Sequence, residues 1–157
     1  FAFGLYMPAI SKENKLMALR SGNRYPHFSQ VLSSPTELTD IQDTVETKVN
    51  VTDEKIGYAL DIIDSLVDLE LQGRHVLKPD TRKWLPQSMR VGQNILALAK
   101  TLAATDPDGR SLKVEQRHIA SAAQYVLPHR IEIANTAVDA SGRKLHPTEV
   151  VRHAIKG

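Results

Sequence analysis

From Ser88 onward, Val91, Ile95, Leu98 and Leu102 recur at steps of four, three and four residues. That period places all four on one side of an α-helix, and it is incompatible with the two-residue alternation of a half-buried strand. It is the strongest pattern in the chain. A long helix with one apolar stripe has to be covered by other elements, and the flanking sequence supplies more helices.

Ser34-Pro-Thr-Glu37 has the form of a capping box with proline at the first helical position, and Leu38, Ile41, Val45 and Val49 follow at helical spacing. Thr52 is placed to cap a second helix whose first turn carries Asp53 and Glu54, the favourable sign for that end. Ile56, Leu60, Ile63 and Val67 are its expected buried stripe, and Gly73 its expected stop. The stretch from Arg74 to Gln87 mixes prolines with charges and reads as a long loop. Asp106-Pro-Asp-Gly109 reads as a tight turn, and Leu112 to Val114 as a short extended piece. A further core helix is predicted from about Glu115 to Leu127, with Ile119, Ala122 or Ala123, and Val126 inward. A short terminal helix is predicted from His146 to Ile155.

Ahead of all these, Phe1 to Pro8 reads as an extended apolar segment, about Ser11 to Leu19 as a helix, and Ser21 to Ser29 as a linker. No internal repeat or low-complexity segment is evident. The fold class expected is all-α, a bundle of four to five helices with a short extended N-terminal segment. Aromatic residues at 5% and abundant Leu, Ala, Ile and Val favour packed helices over a β-sandwich.

Composition excludes several functions. A formal charge of +2, with no gathered basic run, argues against nucleic acid as a partner. Without cysteine there are neither disulfides nor thiolate metal sites, which fits a reducing, cytoplasmic setting. No apolar run approaches membrane-span length and no signal-peptide pattern is seen. Because the chain starts at Phe1 rather than Met, it is expected to be processed or cut from something larger.

The chemistry centres on Ser88 and Arg90. An arginine in a first helical turn sits at the wrong end of the macrodipole, where free amides favour an anion instead. Amides and a guanidinium together suit phosphate oxygens, with Ser88 expected to cap the helix and hold Arg90 in place. There is no phosphate-cradling G-x-x-x-x-G-K-[ST] run and no acidic strand end for magnesium, so this chain alone is expected to hydrolyse nothing.

Other residues take plainer readings. Asp61, Asp64 and Asp68 share a helix face; a solvated acidic face is preferred to a cation site. The histidines lack a metal-binding motif, and His146 with His153 is not taken as a ligand pair. His129 and Arg130 either meet phosphate or a neighbouring subunit, or cap helix carbonyls. Trp84 is either a partner contact or a plug beneath the long loop, with the plug preferred. No serine–histidine pair suggests a triad.

Several phrases taken together resemble the C-terminal helical lid of the MoxR-type AAA+ ATPases. Ser88-Met-Arg90-Val91 is similar to that family's Ser-Pro-Arg-Ala helix start, with Met89 in place of proline. The Ala- and Leu-rich run from Ile95 to Ala104 follows. Gly109-Arg110, Val114 and Ile119 resemble the next motif, and Val126-Leu-Pro-His129-Arg130-Ile131 the lid's closing phrase. Val31 to Val51 also follows the pattern, and Phe1 resembles the start of the last core strand. The resemblance runs roughly from Phe1 to Ile133. The magnesium chelatase ATPase subunit has a similar lid.

The resemblance implies residues 1–28 as the end of an ATPase core and linker and 29–134 as the helical lid; residues 135–157, which it does not cover, are expected to be a tail with a short helix. It implies that Arg90 is the sensor 2 residue, reaching the γ-phosphate of ATP held with Mg2+ on the adjoining core of the same chain, and that Ser88 supports it. It further implies ring neighbours and a chaperone-like ATPase parent. The contrasting expectation is a free-standing helical interaction module that binds partners through the stretch from Leu71 to Gln87.

Overall fold

The computed structural model describes residues 35–106 and 112–156. The expected N-terminal strand, first helix and linker, Ser34, and Gly109-Arg110 with most of their turn all lie outside the described residues.

The first helix described, α1 (Pro35–Lys48), begins at the proline expected to open it. Val45 is half-buried, and Val49, one residue past the end, is buried. Lys100 reaches across to donate to the Glu46 carbonyl at 3.1 Å. The second helix, α2 (Asp53–Asp68), starts after Thr52 as expected, but the Thr52 hydroxyl makes no capping bond. Its carbonyl accepts the amides of Lys55 and Ile56 instead.

The expected stripe on α2 holds at Ile63, which is buried, and at Val67, which packs half-buried on the core, but fails in the first half of the helix. Ala59, Ile62, Ile63 and Leu66 point inward, while Ile56 and Leu60 are exposed. The helix carries two apolar stripes side by side, and the one with the small Ala59 admits closer packing. Nor does α2 run to Gly73: it stops at Asp68.

The expected long loop is ordered. Glu70–Leu71 (β1) and Arg74–His75 (β2) pair antiparallel, with Leu71 opposite Arg74. The two turn residues, Gln72 and Gly73, have φ of 54° and 71°. Two positive φ values in a two-residue loop suit the right-handed twist of a hairpin, and glycine meets one of them without strain. Next come α3 (Pro79–Trp84) and a 3-10 turn over Leu85–Gln87. Here Pro79 and Pro86 start helical turns rather than breaking them, since a first-turn proline has no intrahelical amide bond to lose.

The patterned segment forms α4 (Met89–Thr105), with Val91, Ile95, Ala99 and Ala103 buried and Leu98 and Leu102 at the edge of that face. It packs most extensively on α5 (Gln116–Val126), which buries Ile119, both Ala122 and Ala123, and Val126. Short backbone bridges bind the connections together. Asn50 pairs with Lys113 in parallel, Leu77 with Ile133 antiparallel, and Val138 with Lys144 antiparallel.

A 3-10 turn over Leu127–His129 extends α5, and the last helix is α6 (Pro147–Lys156). The segment after Asn135, expected as a tail, contributes Ala137, Leu145, Val150, Val151 and Ala154 to the same core. The largest fully buried side chains include Leu66, Leu77, Leu85, Ile95, Ile119 and Leu127. The chain is thus mostly helical, with six α-helices and one two-stranded sheet among the described residues. None of those helices is long and apolar enough to cross a membrane.

Candidate functional site at the start of α4

The α4 N-terminus differs from the starts of α2, α3, α5 and α6. Its first turn carries no acidic residue, and no side chain caps it. Ser88 occupies the capping position with φ −86° and ψ 90°, yet its hydroxyl makes no cap bond, contrary to expectation. The preceding 3-10 turn accounts for this. The Ser88 amide donates to the Leu85 carbonyl at 3.2 Å, fixing the backbone short of the fully extended ψ that Thr52 adopts. Ser88 serves through its carbonyl, which accepts the Val91 amide at 3.1 Å.

Arg90 is the second residue of α4; it is exposed and pairs with no described residue. Met89 beside it is 78% exposed, and Gly92 has open space where a side chain would stand. The first turn of α4 thus offers free amides and an exposed arginine, with no anion among the described residues bonded to Arg90. An external anion is the chemical complement of that arrangement.

Three other helix starts carry complementary groups of their own. At α5, the Glu115 carboxylate accepts the third-residue amide while His118 Nδ1 accepts the Glu115 amide at 3.1 Å. His118 is buried, and its Nε2 lies 2.9 Å from Asp106 Oδ2. At α6, the His146 amide donates to Glu149 at 2.9 Å and His146 Nδ1 accepts the Thr148 amide at 3.3 Å. Both are reciprocal capping boxes with histidine in one of the two roles. At α2, Asp53 and Glu54 complement the dipole.

A second polar network lies in the loop before α6. Asp139 accepts the Ser141 hydroxyl at 2.6 Å, the Ser141 amide at 2.9 Å, and the amide and Nε of Arg143 at 3.0 Å each. These bonds, the Ser141 hydroxyl foremost, hold the Asp139 carboxyl down at about 2. Gly142, at φ 82°, turns the chain inside the network. Arg143 also donates to Glu149 at 2.9 Å. The His146 amide, then Arg143, lowers the Glu149 carboxyl below its ordinary range.

None of the other sequence-derived candidates bonds Arg90. Asp61, Asp64 and Asp68 are exposed on α2, and no group of three possible ligands occurs among the described residues. His129 is exposed, and the Arg130 amide closes the 3-10 turn on Leu127. Trp84 is 40% exposed and is not the expected plug; Leu85 beside it fills that role, fully buried.

Sequence reasoning missed an open groove of about 980 Å³ between α4, α5 and α6, lined in part by Leu102, Tyr125, His129, Arg143, His146 and Arg152. It also missed the Asp139 network. One signal for the latter was available: the spacing Asp-x-x-Gly-Arg-x-Leu occurs at Asp106–Leu112 and again at Asp139–Leu145, each ahead of a helix. No family model, curated protein or solved structure matches the chain.

Proposed function

We propose that this chain is the lid of a MoxR-like AAA+ ATPase, in which Arg90 senses the γ-phosphate of ATP. The parent binds ATP and Mg2+ on a core belonging to the same chain, works as a chaperone-like ring in the cytoplasm, and places this bundle over the nucleotide. The observation that supports the reading is the pairing at α4: an exposed, unpartnered Arg90 beside first-turn amides that no side chain caps.

Such a surface binds a phosphate more tightly before hydrolysis than after, because the γ-phosphate carries the charge that Arg90 meets. A differential contact of about 1.4 kcal/mol shifts the balance of open and closed lids roughly tenfold. The lid would then move with the chemistry. Ser88 supports the turn through its backbone.

The test begins with the coding sequence ahead of Phe1. A phosphate-binding loop followed by an acidic strand end favours the lid. A start codon close to Phe1 removes the engine and favours an interaction module, for which the exposed Trp84 is a candidate contact.

A further inference from the structure

The third residue of α5 is a histidine where a capping box ordinarily holds glutamate or glutamine. His118 Nδ1 accepts the Glu115 amide at 3.1 Å, and the Glu115 carboxylate accepts the His118 amide in return. Glutamine would accept through an oxygen at every pH. An imidazole accepts only while Nδ1 carries no proton. His118 is 7% exposed, too enclosed for water to replace a lost bond. His146 makes the contrast: it accepts the Thr148 amide at 3.3 Å but is exposed, so water can take over there.

The charged groups around the ring are few. Asp106, at the end of α4, lies 2.9 Å from Nε2. Glu115 and Arg117 come from the start of α5, and Arg117 bonds both carboxylates, at 2.7 Å and 2.8 Å. Lys113, on the connection before α5, is exposed. The inward faces of α2, α4 and α6 are apolar, through residues such as Ile63, Ala103 and Val150.

A proton added at Nδ1 points at the Glu115 N–H, donor against donor, and that bond is lost. Asp106 keeps the ring in place, its bond to Nε2 now strengthened by charge. The Glu115 backbone is therefore the part that yields. Beside it, the Val114 amide donates to the Asn50 carbonyl and the Asn50 amide to the Leu112 carbonyl, each at 3.0 Å. These two bonds strap the connection between α1 and α2 to the start of α5. Leu112 sits at φ 43°, an unfavourable conformation for leucine that the strap has to hold.

We infer that His118 is a proton-operated clasp. Neutral, it caps α5 and keeps residues 112–114 on Asn50. Protonated, it releases the cap and loosens the strap while the apolar core of the bundle stays packed. The device is independent of Arg90 and of nucleotide.

NMR on the 157-residue chain tests it, from about pH 8 to about pH 5, the span over which histidines ordinarily titrate. At the upper end the ring nitrogens of His118 should show Nδ1 bare and Nε2 protonated. As the ring takes its second proton, the Glu115 amide should shift with the same midpoint. Its protection from exchange, relative to a free chain at the same pH, should fall at least about tenfold. The Val114 and Asn50 amides should follow, while those of Ala123 and Val126 hold. In His118→Gln, which can accept from Glu115 and donate to Asp106 without titrating, protection should stay level. Three results would each overturn the inference: a ring that stays neutral throughout, a Glu115 amide still protected beside a charged ring, or the same loss in His118→Gln. The first two are read from the wild-type chain and need no variant.

Discussion

His118 and Asp106 are joined by a 2.9 Å bond from the ring Nε2 to Oδ2, while the same ring accepts the Glu115 amide through Nδ1. With Nδ1 accepting, the proton sits on Nε2 and is donated to the carboxylate. One buried side chain thereby caps α5 and ties it to the end of α4, and Arg117 adds a 2.7 Å bond to the same oxygen.

Removing Asp106 leaves the buried His118 Nε2 without its acceptor, and removing His118 takes away the acceptor of the Glu115 amide, while Asp106 keeps Arg117. His118→Ala and Asp106→Ala should each destabilise the fold by about 1–3 kcal/mol in urea titration. The double variant should cost less than the two singles combined, because the second change removes the group the first left unpaired. Strict additivity would show that the bond carries no coupling.

Acid should act on the loop before α6. Asp139 is held at about 2, against an ordinary value of 3.8. A carboxyl depressed in the folded state stabilises it fully above the unfolded value and loses that contribution as pH falls through the folded one. The amide resonances of Ser141 and Arg143 should therefore stay constant down to about pH 4 and move with a midpoint near 2. In Ser141→Ala that midpoint should rise, since the hydroxyl is the largest cause of the shift. A midpoint near 4 in the wild type would contradict the network.

Gly57→Ala should stabilise the fold by about 0.5–1 kcal/mol, measured by denaturation. The position is helical and open, so alanine gains backbone order without a clash. A loss of stability would mean that the surroundings of Gly57 are closer than described.

The segment from Asn135 onward should be indispensable. Val150 and Val151 are fully buried, and α6 packs on α2 and on the turn after α5. Deleting residues 135–157 should abolish cooperative unfolding, and Val150→Ala alone should cost roughly 2 kcal/mol through the cavity it leaves. A truncated chain that still melts cooperatively would refute this placement.

These elements also mark how far sequence reasoning reached. The helices α1, α2, α4, α5 and α6 were legible because each pairs an apolar period with a start signal, such as Pro35 or Thr52. Which of two neighbouring stripes on α2 faces inward was not legible. Ile63 is buried as expected, but Ile56 and Leu60 are as apolar as Ile62 and Leu66, and the choice between those is made by partners that periodicity does not contain.

The Arg74–Gln87 stretch was misread for a local reason. Its prolines have the sequence look of breakers but start helical turns, and Gln72-Gly73 carries no visible hairpin signal because β1 and β2 are only two residues each. The Arg90 position was legible at the candidate site. The missing Ser88 cap was not, because it depends on the 3-10 turn before it. The groove gathers residues from three helices and two connections, and no short motif encodes such a surface.

The most direct measurement of the proposed lid role is ATP turnover by the full-length protein that contains this chain, wild type against Arg90→Ala, alongside thermal melts of both. The proposed role predicts at least about a tenfold loss of kcat, the scale of one removed γ-phosphate contact, with an unchanged melt because Arg90 is exposed and bonds no described residue. Unchanged turnover in a stably folded variant would contradict it.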